Sequence, residues 1–60
     1  MARYRVHFLD HGRNVYATYD VEHDRDDDAI EAAHRLNVLP HVGSGFEVWE
    51  DERLVHRHRN

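Results

Sequence analysis

Tyr4, Val6 and Phe8 alternate with Arg3, Arg5 and His7, the period-two signature of a strand with one face buried. Val15, Ala17, Tyr19 and Val21 repeat that pattern, with Tyr16, Thr18 and Asp20 between them. A two-residue loop at His11-Gly12 sets Phe8 against Val15, Val6 against Ala17 and Tyr4 against Tyr19 on a common face. Such loops need positive φ, which Gly adopts freely and His tolerates. A helix is predicted next, from about Asp26 to Asn37. Ala29, Ile30, Ala33 and Leu36 form its apolar stripe at spacings of three and four. Asp24 or Asp26 is the expected N-cap, and the neighbouring carboxylates suit the positive end of the helix dipole. His34 and Arg35 fall in the last turn, and Pro40 prevents continuation. His34 borders the apolar stripe and reads as a boundary or capping side chain.

Leu39 to Gly45 reads as a loop. Its Gly43-Ser44-Gly45 lacks the strand-before, helix-after setting of a phosphate cradle, because strand residues follow it. Phe46 to Glu50 and Arg53 to His58 then form a second hairpin around Asp51-Glu52. A two-residue loop there pairs Glu50 with Arg53, Trp49 with Leu54, Val48 with Val55 and Glu47 with His56. Phe46, Val48 and Val55 share one face, while Trp49 and Leu54 share the other. The expected fold is α+β: ββαββ, a four-stranded, mainly antiparallel sheet with one helix packed on one face. The second and third strands run parallel if the sheet is a split βαβ arrangement, and the pattern leaves strand order open.

Sixty residues make one small domain, whose single core supplies on the order of 3–5 kcal/mol of net stability. The chain has no cysteine, so disulfides and thiolate metal sites are excluded as staples. Met1 to Val6 contain no apolar signal region, and no apolar run approaches membrane-spanning length. A cytoplasmic protein with no membrane contact is therefore expected. The net charge of −4 is unevenly spread. Asp20, Glu22, Asp24, Asp26, Asp27, Asp28 and Glu31 face Arg25 alone within one segment, while Arg3, Arg5 and Arg13 outnumber Asp10 before it. The acidic run lacks the alternate spacing and central Gly of an EF-hand loop, and so reads as a helix start.

Thr18 and Ser44 are the only non-tyrosine hydroxyls, and neither sits in a nucleophile elbow. A domain this small also offers little cleft, so the chain is not expected to be an enzyme, and no cofactor is expected. Three binding readings remain. In the first, one helix cannot cover both apolar faces of the second hairpin, so Trp49, Leu54 or Phe46 meets another protein chain, in the simplest case as a homodimer. In the second, Arg3, Arg5, His7 and Tyr16 face outward from the open side of the sheet and bind single-stranded nucleic acid, against the handicap of net negative charge. In the third, His56 and His58 project from one face of a strand with Glu47 opposite, a zinc-type set of three ligands drawn from a chain with seven histidines. The interaction module is the leading expectation.

Tyr4-Arg5-Val6-His7-Phe8-Leu9-Asp10, the acidic run before Ala29-Ile30-Glu31-Ala32-Ala33, and Phe46-Glu47-Val48-Trp49 with Arg53-Leu54-Val55 resemble short uncharacterised proteins of GC-rich alphaproteobacteria. That resemblance spans nearly the whole chain and implies no activity and no site residues. In architecture alone the chain is also similar to HicB-type antitoxin domains, which place an aromatic-rich hairpin before a helix with an acidic start. It lacks their Pro and Gly-Cys features after the first strand, and any appended DNA-binding module.

Overall fold

The computed structural model describes residues 2–37 and 43–59. The expected loop residues Leu39 to Val42, with Pro40 and His41, lie outside the described residues. The elements are β1 (Ala2–Leu9), β2 (Val15–His23), α1 (Asp26–Leu36), β3 (Gly45–Glu50) and β4 (Arg53–Arg59). They form the ββαββ fold, with one four-stranded sheet in the order β2-β1-β3-β4. Every neighbouring pair is antiparallel. β2 and β3 therefore run in the same direction with β1 between them, which is the split βαβ arrangement. β2 and β4 are the edges. Among the described residues no helix is long and apolar enough to cross a membrane.

The core is one layer between helix and sheet. Tyr4, Val6 and Phe8 of β1 and Phe46 and Val48 of β3 are buried beneath Ala29 and Ala33 of α1. The two alanines present no long side chain to the sheet, so the helix backbone can sit close to the central strands. Ile30 is only half-buried, and Leu36, expected in the stripe, is 39% exposed.

The first hairpin keeps the expected faces but not the expected register. Phe8 pairs with Ala17, Val6 with Tyr19 and Tyr4 with Val21, two residues away from the pairing that His11-Gly12 implies. One residue of that difference comes from the loop. Asp10 N–H donates to the Asn14 carbonyl (2.9 Å), and Arg13 N–H donates to the Asp10 carbonyl (3.0 Å). His11, Gly12 and Arg13 therefore lie between the paired ends. Arg13, not Gly12, takes the positive φ, at 66°. The Asp10 carboxylate holds this loop by accepting from Gly12 N–H and Asn14 N–H, each at 2.9 Å. The second residue is a bulge between Phe8 and Leu9 that leaves Tyr16 unpaired on β2. A total shift of two preserves the inward set Ala17, Tyr19 and Val21. The bulge does turn Val15 outward to pair with Leu9, and it brings the Tyr16 ring toward Phe8, 6.4 Å between centroids.

The start of β3 is docked on this loop. Ser44 N–H donates to the Leu9 carbonyl (2.9 Å) and Ser44 Oγ donates to the Asp10 carbonyl (2.8 Å). A methyl group on Gly43 would come within 2.5 Å of the Leu9 carbonyl oxygen, so glycine is needed there for close approach.

The acidic run does begin the helix, but not through a side-chain cap. Arg25 is the N-cap residue and makes no capping side-chain bond, whereas Asp26, Asp27 and Asp28 occupy the first turn. Asp26 is used differently. It accepts from the Tyr4 hydroxyl (2.7 Å) and from both terminal nitrogens of Arg53 (3.2 and 3.1 Å). Arg53 also reaches Glu50 at 2.5 Å. The start of α1 is thereby tied to the start of β4. Donating to the carboxylate pushes the Tyr4 hydroxyl up to about 12, and the Arg53 bonds, then the Tyr4 bond, hold the Asp26 carboxyl below its ordinary value.

The signs give this network a pH window. Asp26, depressed in the fold, contributes stability that is present above its unfolded value of about 3.9 and is lost as pH falls through the lower folded value. Tyr4, raised in the fold, contributes stability that is present below its unfolded value of about 10. That contribution is lost as pH rises toward about 12. The urea midpoint is expected to fall on both sides of this window, and Asp26→Asn should flatten both slopes. An unchanged profile in Asp26→Asn would show that the network carries no pH-linked stability.

Candidate metal centre

The second hairpin turns at Asp51-Glu52 as expected, with Asp51 at a φ of 53°. Glu50 pairs with Arg53 and Trp49 with Leu54, and then the register slips by one at a bulge between Val48 and Trp49. Val55 is the extra residue. Beyond it Val48 faces His56, Glu47 faces Arg57 and Phe46 faces His58. Side chains alternate along a strand, so one extra residue moves every later side chain to the other face. The expected Val48–Val55 and Glu47–His56 pairs are thereby corrected.

The proposed ligand set Glu47, His56 and His58 is corrected for the same reason. Glu47 lies on the open face, where one carboxylate oxygen accepts from Trp49 Nε1 (3.1 Å) and the other from Arg57 Nε (2.9 Å). His56 and His58 lie together on the helix side. His34, read from the sequence as a boundary side chain, joins them from the last turn of α1.

The reach of the two elements explains the meeting. The Asp26–Arg53 contact aligns the start of α1 with the start of β4. From Asp26 to His34 the helix rises about 12 Å. Along β4, His56 and His58 lie about 10 and 17 Å beyond Arg53. A helix running beside β4 in the same direction therefore delivers His34 between them. Ring centroids of His34 and His58 are 4.8 Å apart, and those of His34 and His56 are 6.1 Å apart.

One nitrogen from each of the three rings lies within 4.8 Å of the others. Three imidazoles on a tetrahedral zinc at about 2.05 Å hold their nitrogens about 3.3 Å apart. The rings must therefore draw together by roughly 1.5 Å, within the reach of side-chain rotation. Phe46 is the floor of the cluster, 5.0 Å from the His34 and His58 rings and 6.2 Å from His56. Phe46 is itself fully buried, which withdraws it from the predicted contact with another chain. His34 is exposed, and His56 and His58 are half-buried, so the cluster is open on its outer side.

The open face of the sheet is a lattice of cross-strand pairs. Arg3 meets Glu22 (3.5 Å), Arg5 meets Asp20 (3.0 Å), and His7 Nδ1 bonds the Thr18 hydroxyl (3.1 Å). Tyr16 does not join Arg3, Arg5 and His7 there, because the bulge brings its ring toward Phe8. Trp49 is half-buried beside Leu54, which is 39% exposed. At the loop end a cleft of about 740 Å³ is lined by Leu9, Arg13, Ser44, Arg57 and Arg59 among others. Its serine hydroxyl is the one already committed to the Asp10 carbonyl.

The histidine pair on β4 was visible in the sequence from its i, i+2 spacing. His34 was not, because its partnership depends on the β2-β1-β3-β4 order and on the Val55 bulge. No known protein family, curated protein or solved structure matches the chain.

Proposed function

We propose that this chain is a small metal-binding module, not an enzyme, and that it takes a zinc-class divalent ion at His34, His56 and His58. The observation that carries this is the convergence of three imidazole nitrogens within 4.8 Å from two separate elements. Neutral imidazole suits zinc, copper and nickel, whereas magnesium and calcium require oxygen ligands. The ion would join the last turn of α1 to the end of β4, opposite the Asp26–Arg53 tie at the other end of both elements. In a cysteine-free chain of 60 residues, such a link replaces the staple that the core lacks.

Zinc titration followed by NMR of the imidazole rings tests this. His34, His56 and His58 should shift together and saturate at one ion per chain, while His7, His11 and His23 respond only at larger excess. Shifts distributed over all the histidines, or none at all, would refute the site.

Self-association is a second reading, favoured by the exposure of Leu54 beside Trp49 on the uncovered sheet face. Backbone relaxation in the same samples reports the mass of the particle, and monomer values at high micromolar concentration would remove it. The pairing of Arg3 and Arg5 with carboxylates weighs against nucleic acid on that face.

A further inference from the structure

We infer that the ion bound at His34, His56 and His58 keeps one exchangeable coordination position, and that this position takes a small anion from solvent; the inference rests on the metal-binding reading above. Zinc is four-coordinate in most protein sites, and a site with three protein ligands completes its shell with water or another exogenous donor. Among the described residues the cluster offers three donors, and none of them is a carboxylate. Glu47, the carboxylate expected to join His56 and His58, lies on the other face, with its two oxygens committed to Trp49 and Arg57.

Charge then selects the class of the fourth ligand. Three neutral imidazoles leave the ion its full double charge, and the floor beneath it is the apolar Phe46 ring. An anionic oxygen or nitrogen donor compensates that charge where the protein does not. Access is from the outer side, since His34 is exposed and the other two rings are half-buried.

A donor from a second copy is disfavoured by the edge it would have to use. β4 carries Arg57 and Arg59 on the face away from the histidines, and both are exposed. Charged side chains blunt an exposed edge strand, and β4 carries Arg59 together with Arg57, which is paired to Glu47.

Cobalt(II) reports the outcome directly, because its visible absorption depends on coordination number and donor type. The 60-residue chain loaded with one equivalent of Co²⁺ should show bands characteristic of low coordination. Azide should then shift them saturably at one anion per metal, and phosphate should compete with azide. Glu47→Gln should respond to azide as the wild type does, whereas His34→Ala should lose the bands. Bands that ignore azide and phosphate would overturn the open position while leaving the metal site standing. Bands that ignore both while the protein doubles in mass would overturn it in favour of a ligand from a second copy. Absence of any band, together with no zinc-induced shift of the His34, His56 and His58 rings, would remove the metal site and the inference together.

Discussion

Zinc at a hundredfold excess over its dissociation constant is expected to raise the free energy of unfolding by ~2.7 kcal/mol, because an ion that binds only the folded chain stabilises it by mass action. That increment is large beside the ~3–5 kcal/mol that a core of this size supplies. For a domain of this length each 1 kcal/mol moves the melting temperature by about 4–8 °C, so a rise of roughly 10–20 °C should be seen by calorimetry or circular dichroism. His34→Ala, His56→Ala and His58→Ala should each remove most of the rise. Without metal, His34→Ala should cost only ~1 kcal/mol, since the ring is exposed and loses mainly its edge-to-face contact with Phe46. Glu47→Gln is the discriminating variant. It disturbs the Trp49 and Arg57 bonds on the open face, yet should leave the zinc-dependent rise intact. Loss of the rise in Glu47→Gln with its retention in His34→Ala would mean that β4 follows the unbulged register after all.

The comparison between those two variants turns on a single residue of register, and the two hairpins differ instructively in this respect. In the first hairpin, pattern alone misplaces the pairing by two residues. One is the loop position gained at Arg13 and the other is the Tyr16 bulge. Beyond the bulge an even displacement returns Ala17, Tyr19 and Val21 to the inward face, with only Val15 lost from it, so Tyr4, Val6 and Phe8 are legible as core from alternation alone. In the second hairpin the displacement is one residue, at Val55, and an odd displacement exchanges the faces. Trp49 opposite Leu54 and Glu50 opposite Arg53 precede the bulge and were legible. His56 and His58 follow it and moved from the side of Glu47 to the side of α1. Neither Gly nor Pro marks Val55, so the sequence carries no local sign of the bulge. What favours it physically is the half-burial of Val55 against the core together with the two arginines that follow turning outward, Arg57 onto Glu47. The helix stripe was legible for Ala29 and Ala33 but overstated for Leu36, because a stripe records which residues share a helix face and not how far the sheet extends beneath it. The role of Asp26 was hidden for a related reason. A carboxylate in a first turn suits the dipole in any helix, and only the strand order sets Arg53 and Tyr4 beside it.

Gly45→Ala is expected to be the most damaging small substitution in the chain, and its effect should reach the histidines. Gly45 opens β3 at a φ of 149°, a conformation that side chains rarely adopt, and it is buried. A methyl group built there would overlap the backbone carbonyl of His58 on the neighbouring strand. Neither partner can yield by turning a side chain, because both are backbone. The strain of forcing a non-glycine residue into such a region is of order 1–3 kcal/mol before any overlap is counted. Together these effects approach the whole net stability of the domain, so the variant should be largely unfolded at 37 °C without metal. Gly12→Ala is the control. Its methyl group would meet only the side chains of Asn14 (3.3 Å) and Asp10 (3.4 Å). Its φ is outside the left-handed range, so alanine there should change stability by less than ~1 kcal/mol, in either direction. Any folded fraction of Gly45→Ala should also bind zinc more weakly than wild type. Relief of the overlap pushes the end of β4 away from β3, and His58 moves with it while His34 stays on the helix. Urea melts of both variants, followed by zinc titration of whatever remains folded, measure the two effects separately. A Gly45→Ala protein with wild-type stability would show that β3 and β4 do not approach so closely at Gly45 and Arg59. Wild-type stability with weakened zinc binding would confine the displacement to the end of β4. An unfolded Gly45→Ala beside an unchanged Gly12→Ala is the expected result, because of these two positions only Gly45 sets the added methyl group against backbone.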